Sequence, residues 1–302
     1  MKKAPLPNFL IIGVPKAGTT SLDHYLRQHP QIFLPQKKEL HYFSYRFLKE
    51  SLAGPGDLGS LQSVCSTFRE YENCFCNAGE VSAIGEISPS YFYFREVAHE
   101  MRKRLGNIKV VISLRDPLKR AYSNYMHLVR DDRETLSFYN ALCEEEQRKA
   151  KGWSDFWRYS EHSLYSQNLR FFMDVFGPEN VKVVIFEEMV RDTEGSLRDL
   201  FKFLGVDDSV SVQSGKVLNR SGTLRFRFVK NVIYEDSPLK KLFKKVVPKE
   251  LRTSLKCYLE NLNLIPAEDI EIDAVNLLAS RFESDRASLE ELLGRKIDCW
   301  HF

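Results

Sequence analysis

Phe9 to Leu22 reads FLIIGVPKAGTTSL. Phe9-Leu10-Ile11-Ile12 is an apolar run long enough for a short buried strand. Gly13-Val14-Pro15-Lys16-Ala17-Gly18 follows as a turn with one cation in it. Thr19, Thr20 and Ser21 then set hydroxyl residues where a helix begins. A strand that enters a glycine-bounded loop and leaves as a helix N-terminus is suited to an anion. Backbone N–H groups converge there, and the helix dipole favours negative charge. The expected ligand is a phosphate or a sulfate. An ordinary strand-turn-helix with a surface lysine is the plain alternative.

Spacing narrows the choice. A nucleoside-triphosphate loop carries its lysine directly before the Ser or Thr that follows the second glycine. Here Gly13 and Gly18 keep the required gap, but Thr19 stands at the lysine position and the loop's lysine is Lys16. In this the segment resembles the loop of the sulfotransferases that use 3′-phosphoadenylyl sulfate (PAPS), with the carbohydrate, heparan-type and bacterial branch the nearest in pattern. The resemblance implies that Lys16, Ala17, Gly18, Thr19, Thr20 and Ser21 hold the 5′-phosphosulfate.

A second segment extends the resemblance. Lys109 to Leu114 is the clearest buried strand in the chain, and Arg115-Asp116-Pro117 leaves its C-terminal end into a helix. Ligands of open α/β sheets gather at such ends, so Arg115 is expected near the first loop if the two strands are neighbours. An arginine pairing with Asp116 at a helix start is the alternative. Arg115-Asp116-Pro117, with Arg120, Ala121, Ser123 and Tyr125, follows the family's 3′-phosphate signature. The resemblance gives Arg115 and Ser123 to that phosphate. A planar guanidinium fork and a hydroxyl donor suit the task.

Lys37-Lys38-Glu39-Leu40-His41-Tyr42-Phe43 is a charged, aromatic stretch. If it is extended, Glu39 and His41 point the same way; a solvated charged turn is the other reading. Sugar-directed members of the family carry a similar stretch, so the resemblance makes Glu39 the catalytic base and places His41 near the acceptor. Glu86 sits inside an apolar strand, Ala83 to Pro89, and is read as the partner of a cation near the loop or as a substrate contact. Heparan-type members have a lysine after the equivalent glutamate. This chain has Ile87 there, which weakens a heparan substrate and leaves Lys16 as the principal cation at the reaction centre.

Elsewhere the sequence is less specific. Helices are expected over 61–71, 135–149, 163–176, 193–204 and 274–293. Trp153, Phe156, Trp157 and Tyr159 read first as core and second as the lining of an acceptor cleft. Arg220 and Arg225 lie in a polar, glycine-bearing loop that loosely resembles the family's nucleotide-covering loop. Residues 239–256 are basic with apolar residues at helical spacing, a solvated face or a weak attraction for a membrane surface or anionic polymer.

Bulk properties set the bounds. The 302 residues, 43% hydrophobic, alternate strands with helices. That predicts an α/β, P-loop-like three-layer fold with a mainly parallel central sheet, in one domain over 1–302. A net charge of +3 gives no case for nucleic acid. No secretory signal or membrane-spanning run is read, and the six scattered cysteines read as free thiols, so a cytoplasmic setting is expected. No metal-ligand cluster is seen, and a sulfuryl donor needs none. The function expected is in-line transfer from PAPS, leaving PAP, to an acceptor hydroxyl on a carbohydrate or other aliphatic alcohol. Two rivals stand: a P-loop kinase using Asp116 for magnesium, and a nucleotide-binding protein without catalysis.

Overall fold

The structure, a computed structural model, describes residues 5–61, 64–213, 222–224, 264–266 and 269–301. Five strands form one sheet: β1 (Phe9–Gly13), β2 (Ile32–Phe33), β3 (Ala83–Ile87), β4 (Lys109–Leu114) and β5 (Val181–Ile185). Their order is β2-β3-β1-β4-β5, and every pair is parallel. A sheet covered on both faces needs apolar residues on both, hence the unbroken runs in β1 and β4. Leu10, Ile12, Val110, Ile112 and Leu114 enter one core, while Phe9, Ile11 and Val111 enter the other. The first core is closed by helices Val97–Leu105 and Ser166–Phe176, the second by Thr19–Leu26 and Thr193–Leu204. The expected three layers and parallel sheet are present. Two further strands, β6 (Gly222–Leu224) and β7 (Leu264–Pro266), pair antiparallel.

Several expectations need correction. No helix runs from 61 to 71. Asp57–Leu61 is a 3-10 turn, and the helix is Phe68–Asn73, opened by a reciprocal capping box between Thr67 and Glu70. Cys65 donates its N–H to Leu40 O at 2.8 Å, which takes the intervening chain into contact with the Glu39 segment instead. The 135–149 segment is two short helices, Phe138–Cys143 and Glu145–Ala150, because the N–H groups of Thr135 and Leu136 are taken by the Glu134 carboxylate. The 163–176 helix starts at Ser166, where Asp285 accepts the N–H groups of Tyr165 and Ser166. Trp157 and Tyr159 are core, in a third cluster with Phe138, Leu278 and Phe282, and Trp153 and Phe156 pack against it. Cys65, Cys74, Cys76, Cys143 and Cys299 are unbridged, as expected of them, although the Cys65 and Cys74 sulfurs lie 3.9 Å apart.

Candidate active site

β1 and β4 are neighbours, and their C-terminal ends meet at the glycine loop. Val14 N donates to Ser113 O at 2.8 Å, and Ser113 Oγ donates to Ala17 O at 2.5 Å. The loop is thus fixed by the strand beside it. Gly18 closes the loop with φ 82°, and a Cβ there would stand 2.6 Å from the Phe186 ring. Both the left-handed backbone and the close approach require glycine. Gly18 O takes the N–H groups of Ser21 and Leu22. The N–H groups of Thr19 and Thr20 lie ahead of that first helical bond, at the open end of the Thr19–Leu26 helix.

Arg115 reaches this loop directly. Its Nη1 donates to Lys16 O at 2.9 Å, and its guanidinium lies 5.2 Å from the centre of the Phe186 ring. Asp116 is otherwise engaged. It accepts the Lys119 N–H at 3.1 Å as a helix cap and lies 3.3 Å from Lys119 Nζ. Arg115 Nε is buried with no hydrogen-bond partner. A buried cation with an unused donor is a costly arrangement that an anion would relieve. Burial pulls the Arg115 guanidinium below its usual pKa, partly offset by Glu187, Tyr165 and Asp116. Ser123 is buried on the Pro117–Arg130 helix.

Lys16 is lowered to about 8 by burial, with Arg130 and Arg115 adding to the effect. Arg130 and His127 therefore belong to the cradle's surroundings, though no sequence reading named them. The signal was there in helical spacing, since Ser123, His127 and Arg130 share one helix face. Arg130 Nη2 donates to His127 Nδ1 at 2.6 Å. Burial and the Lys16 charge hold His127 down at about 4, so it is neutral at pH 7.

The Glu39 segment is not extended. Glu39 has φ 59° and His41 φ 51°, and Lys16 has φ 73°. These are three of the four non-glycine residues with positive φ among the described residues, the fourth being Asp132. Such strain gathers at functional sites. The pair nevertheless meets, with Glu39 Oε2 3.7 Å from His41 Nε2. Lys38 Nζ lies 3.7 Å from Glu39 and donates to Thr20 Oγ1 at 2.9 Å, tying the segment to the cradle helix. Partial desolvation raises the Glu39 pKa, but His41 and Lys38 outweigh it and hold the carboxyl below its usual range. His41 is fixed by Ser88, whose Oγ accepts its N–H at 2.9 Å, and by Ser90, whose Oγ is 2.6 Å from Nδ1. Glu86 supports that floor rather than pairing with a cation. It accepts from Tyr71 at 2.7 Å, from Tyr91 at 2.8 Å and from Ser88. Burial raises its pKa, and the three hydroxyls pull it back. The structure thus gathers Lys16, Thr20, Glu39, His41 and Arg115 around one loop. Arg220, Arg225 and the basic 239–256 stretch lie outside the described residues.

The chain resembles known proteins over this same region. The model of a family described as "Sulfotransferase family" matches residues 7–209. The membrane-associated sulfotransferase kil1 of Dictyostelium discoideum is 34% identical over 120 residues, 40% of this chain and 22% of that protein. Heparan sulfate glucosamine 3-O-sulfotransferase 3B1 of Mus musculus is 29% identical over 202 residues, 67% of this chain and 46% of that protein. The chain spans less than half the length of either relative. A solved sulfotransferase from Alicyclobacillus acidocaldarius is 33% identical, with a TM-score of 0.76 and coverage of 98% of this chain and 99% of that one.

Proposed function

The chain belongs to the sulfotransferase family, and from that premise we propose that it moves a sulfuryl group from PAPS to the hydroxyl of a carbohydrate or similar aliphatic alcohol. One observation carries this reading. Arg115 grips the Lys16 carbonyl at 2.9 Å while its buried Nε has no partner, so the two anion-seeking segments converge on one place. Lys16, the loop amides, Thr19 and Thr20 suit the 5′-phosphosulfate. Arg115 and Ser123 suit the 3′-phosphate. The donor supplies the sulfuryl group, and the chain's own residues supply position and charge. Glu39, ionised at neutral pH, takes the acceptor's proton as that oxygen bonds to sulfur. The bond from sulfur to the bridging phosphate oxygen breaks, and Lys16 balances the charge left there. His41 orients the Glu39 carboxylate.

The test is transfer of labelled sulfate from PAPS to a panel of alcohols, with PAP binding measured separately by calorimetry. Transfer without added metal, together with PAP binding far tighter than ATP binding, is the expected result. Binding of ATP that depends on Mg²⁺, with phosphate rather than sulfate transferred, would overturn it.

A further inference from the structure

Arg115 stands just past the end of β4, and the peptide that follows it is held from both sides by side chains. Tyr165 Oη donates to Arg115 O at 2.9 Å, and the N–H of Asp116 donates to Glu187 Oε1 at 3.2 Å. These are the two polar groups of one planar peptide unit, so its orientation is fixed. Tyr165 is fully buried, and Glu187 lies in the first turn of the Phe186–Arg191 helix. The residue before Glu187 is Phe186, whose ring carries the Arg115 guanidinium.

Both supports meet at Trp300. Its Nε1 donates to Glu187 Oε2 at 3.0 Å, and its ring centre lies 5.9 Å from that of Tyr165. Glu187 therefore divides its two oxygens between Trp300 and the Asp116 N–H. Trp300 is buried, and the route that brings it there is well defined. Gly294 closes the Ile272–Leu293 helix with φ 64°, and Ile297 N then donates to Glu290 Oε1 at 2.9 Å. Arg295 pairs with Glu188 at 2.7 Å, which lays the segment against the Phe186–Arg191 helix. Arg286 Nη1 donates to Trp300 O at 2.9 Å, and its neighbour Asp285 accepts the Tyr165 N–H at 2.6 Å. One place on the long helix thus sets both the tryptophan and the tyrosine. The matched family region, residues 7–209, does not include Trp300.

We propose that Trp300 is a positioning residue for recognition of the donor's 3′-phosphate: through Glu187 and Tyr165 it fixes the peptide that presents Arg115. This rests on the assignment of Arg115 to that phosphate above. A guanidinium meets phosphate through a planar fork, so a small turn of the supporting peptide misaligns the bonds. Without the indole N–H, one Glu187 oxygen loses its partner and the carboxylate is free to turn away from Asp116. Trp300 acts through Arg115 and needs no contact with the nucleotide.

The test measures PAP and AMP binding to the full chain by calorimetry. Trp300→Phe keeps an aromatic ring and removes the indole N–H. It should weaken PAP by about three- to tenfold and AMP by less than about twofold. In an Arg115→Ala background the same substitution should leave PAP affinity almost unchanged, because residues that act as a unit are not additive. Tyr165→Phe, which removes the hydroxyl bonded to Arg115 O, should repeat both results, and it takes the place of Trp300→Phe if that variant does not fold. A PAP-to-AMP ratio that stays at the wild-type value would overturn the positioning role and leave the transferase reading intact. So would a loss of PAP affinity that survives in full without Arg115. A wild type that binds PAP no tighter than AMP would instead remove the assignment of Arg115 to the 3′-phosphate, and this inference with it.

Discussion

The cradle and the acceptor side of this site are held by different parts of the chain. The cradle is tied down by main-chain groups: Val14 N to Ser113 O, Ser113 Oγ to Ala17 O, Arg115 to Lys16 O. Two adjacent strands fix its shape, and side-chain identity matters at few points. The acceptor side is held by side chains from two separate stretches. Ser88 and Ser90 position His41, and His41 faces Glu39. A framework of backbone tolerates substitution and recurs as a short motif. A framework of side chains can be retuned one residue at a time, which suits a surface that must distinguish acceptors.

The largest expected effect falls on the acceptor side and tests whether chemistry resides there. Glu39→Gln removes the proton acceptor but keeps the shape. It should lower kcat by roughly 10²-fold or more and leave PAP affinity unchanged. Near-normal turnover would take Glu39 out of the role, and a parallel loss of PAP affinity would mean that the two sides are not separable. The next effect belongs to the cradle. Arg115→Ala should weaken PAP by roughly ten- to a hundredfold and AMP, which lacks the 3′-phosphate, much less. Equal losses for both nucleotides would show that Arg115 acts by holding the Lys16 carbonyl, not by meeting the ligand.

The same contrast explains what the residues disclosed. β1 and β4 were legible because strands buried on both faces must be apolar throughout, and Lys16 and Arg115 were legible because they flank those strands. The meeting of Glu39 and His41 was expected through an extended segment, but it arises through two residues at positive φ. Glutamate carries no sequence mark for that conformation, and histidine, though enriched in it, adopts it rarely. The 61–71 stretch misled because its helical pattern competes with a tertiary bond from Cys65 N to Leu40 O.

A smaller effect separates the two sides by pH. Free Lys16 loses its proton as pH rises through about 8, because it is buried beside Arg130 and Arg115. A bound phosphosulfate or phosphate would hold the ammonium and raise its pKa. Binding then takes up a proton above pH 8, and PAP affinity should fall by up to about tenfold per pH unit there. Below pH 7 the affinity should be flat with respect to this group. Calorimetry in buffers of different ionisation enthalpy reads the proton directly. Lys16→Arg should abolish the uptake, and an uptake that survives in that variant would assign it to another group.

The smallest expected effect asks what the Pro117–Arg130 helix contributes. Ser123→Ala removes one buried hydroxyl and should weaken PAP by about three- to tenfold, with AMP unaffected. Arg130→Ala, about two turns further along the same face, removes a charge that is 40% exposed and should act on both nucleotides alike. Its effect should shrink with added salt, as an exposed charge is screened while a buried hydrogen bond is not. If instead Ser123→Ala weakens both nucleotides and its effect falls with salt, the hydroxyl is not reading the 3′-phosphate. The helix would then serve the cradle only as a source of positive field.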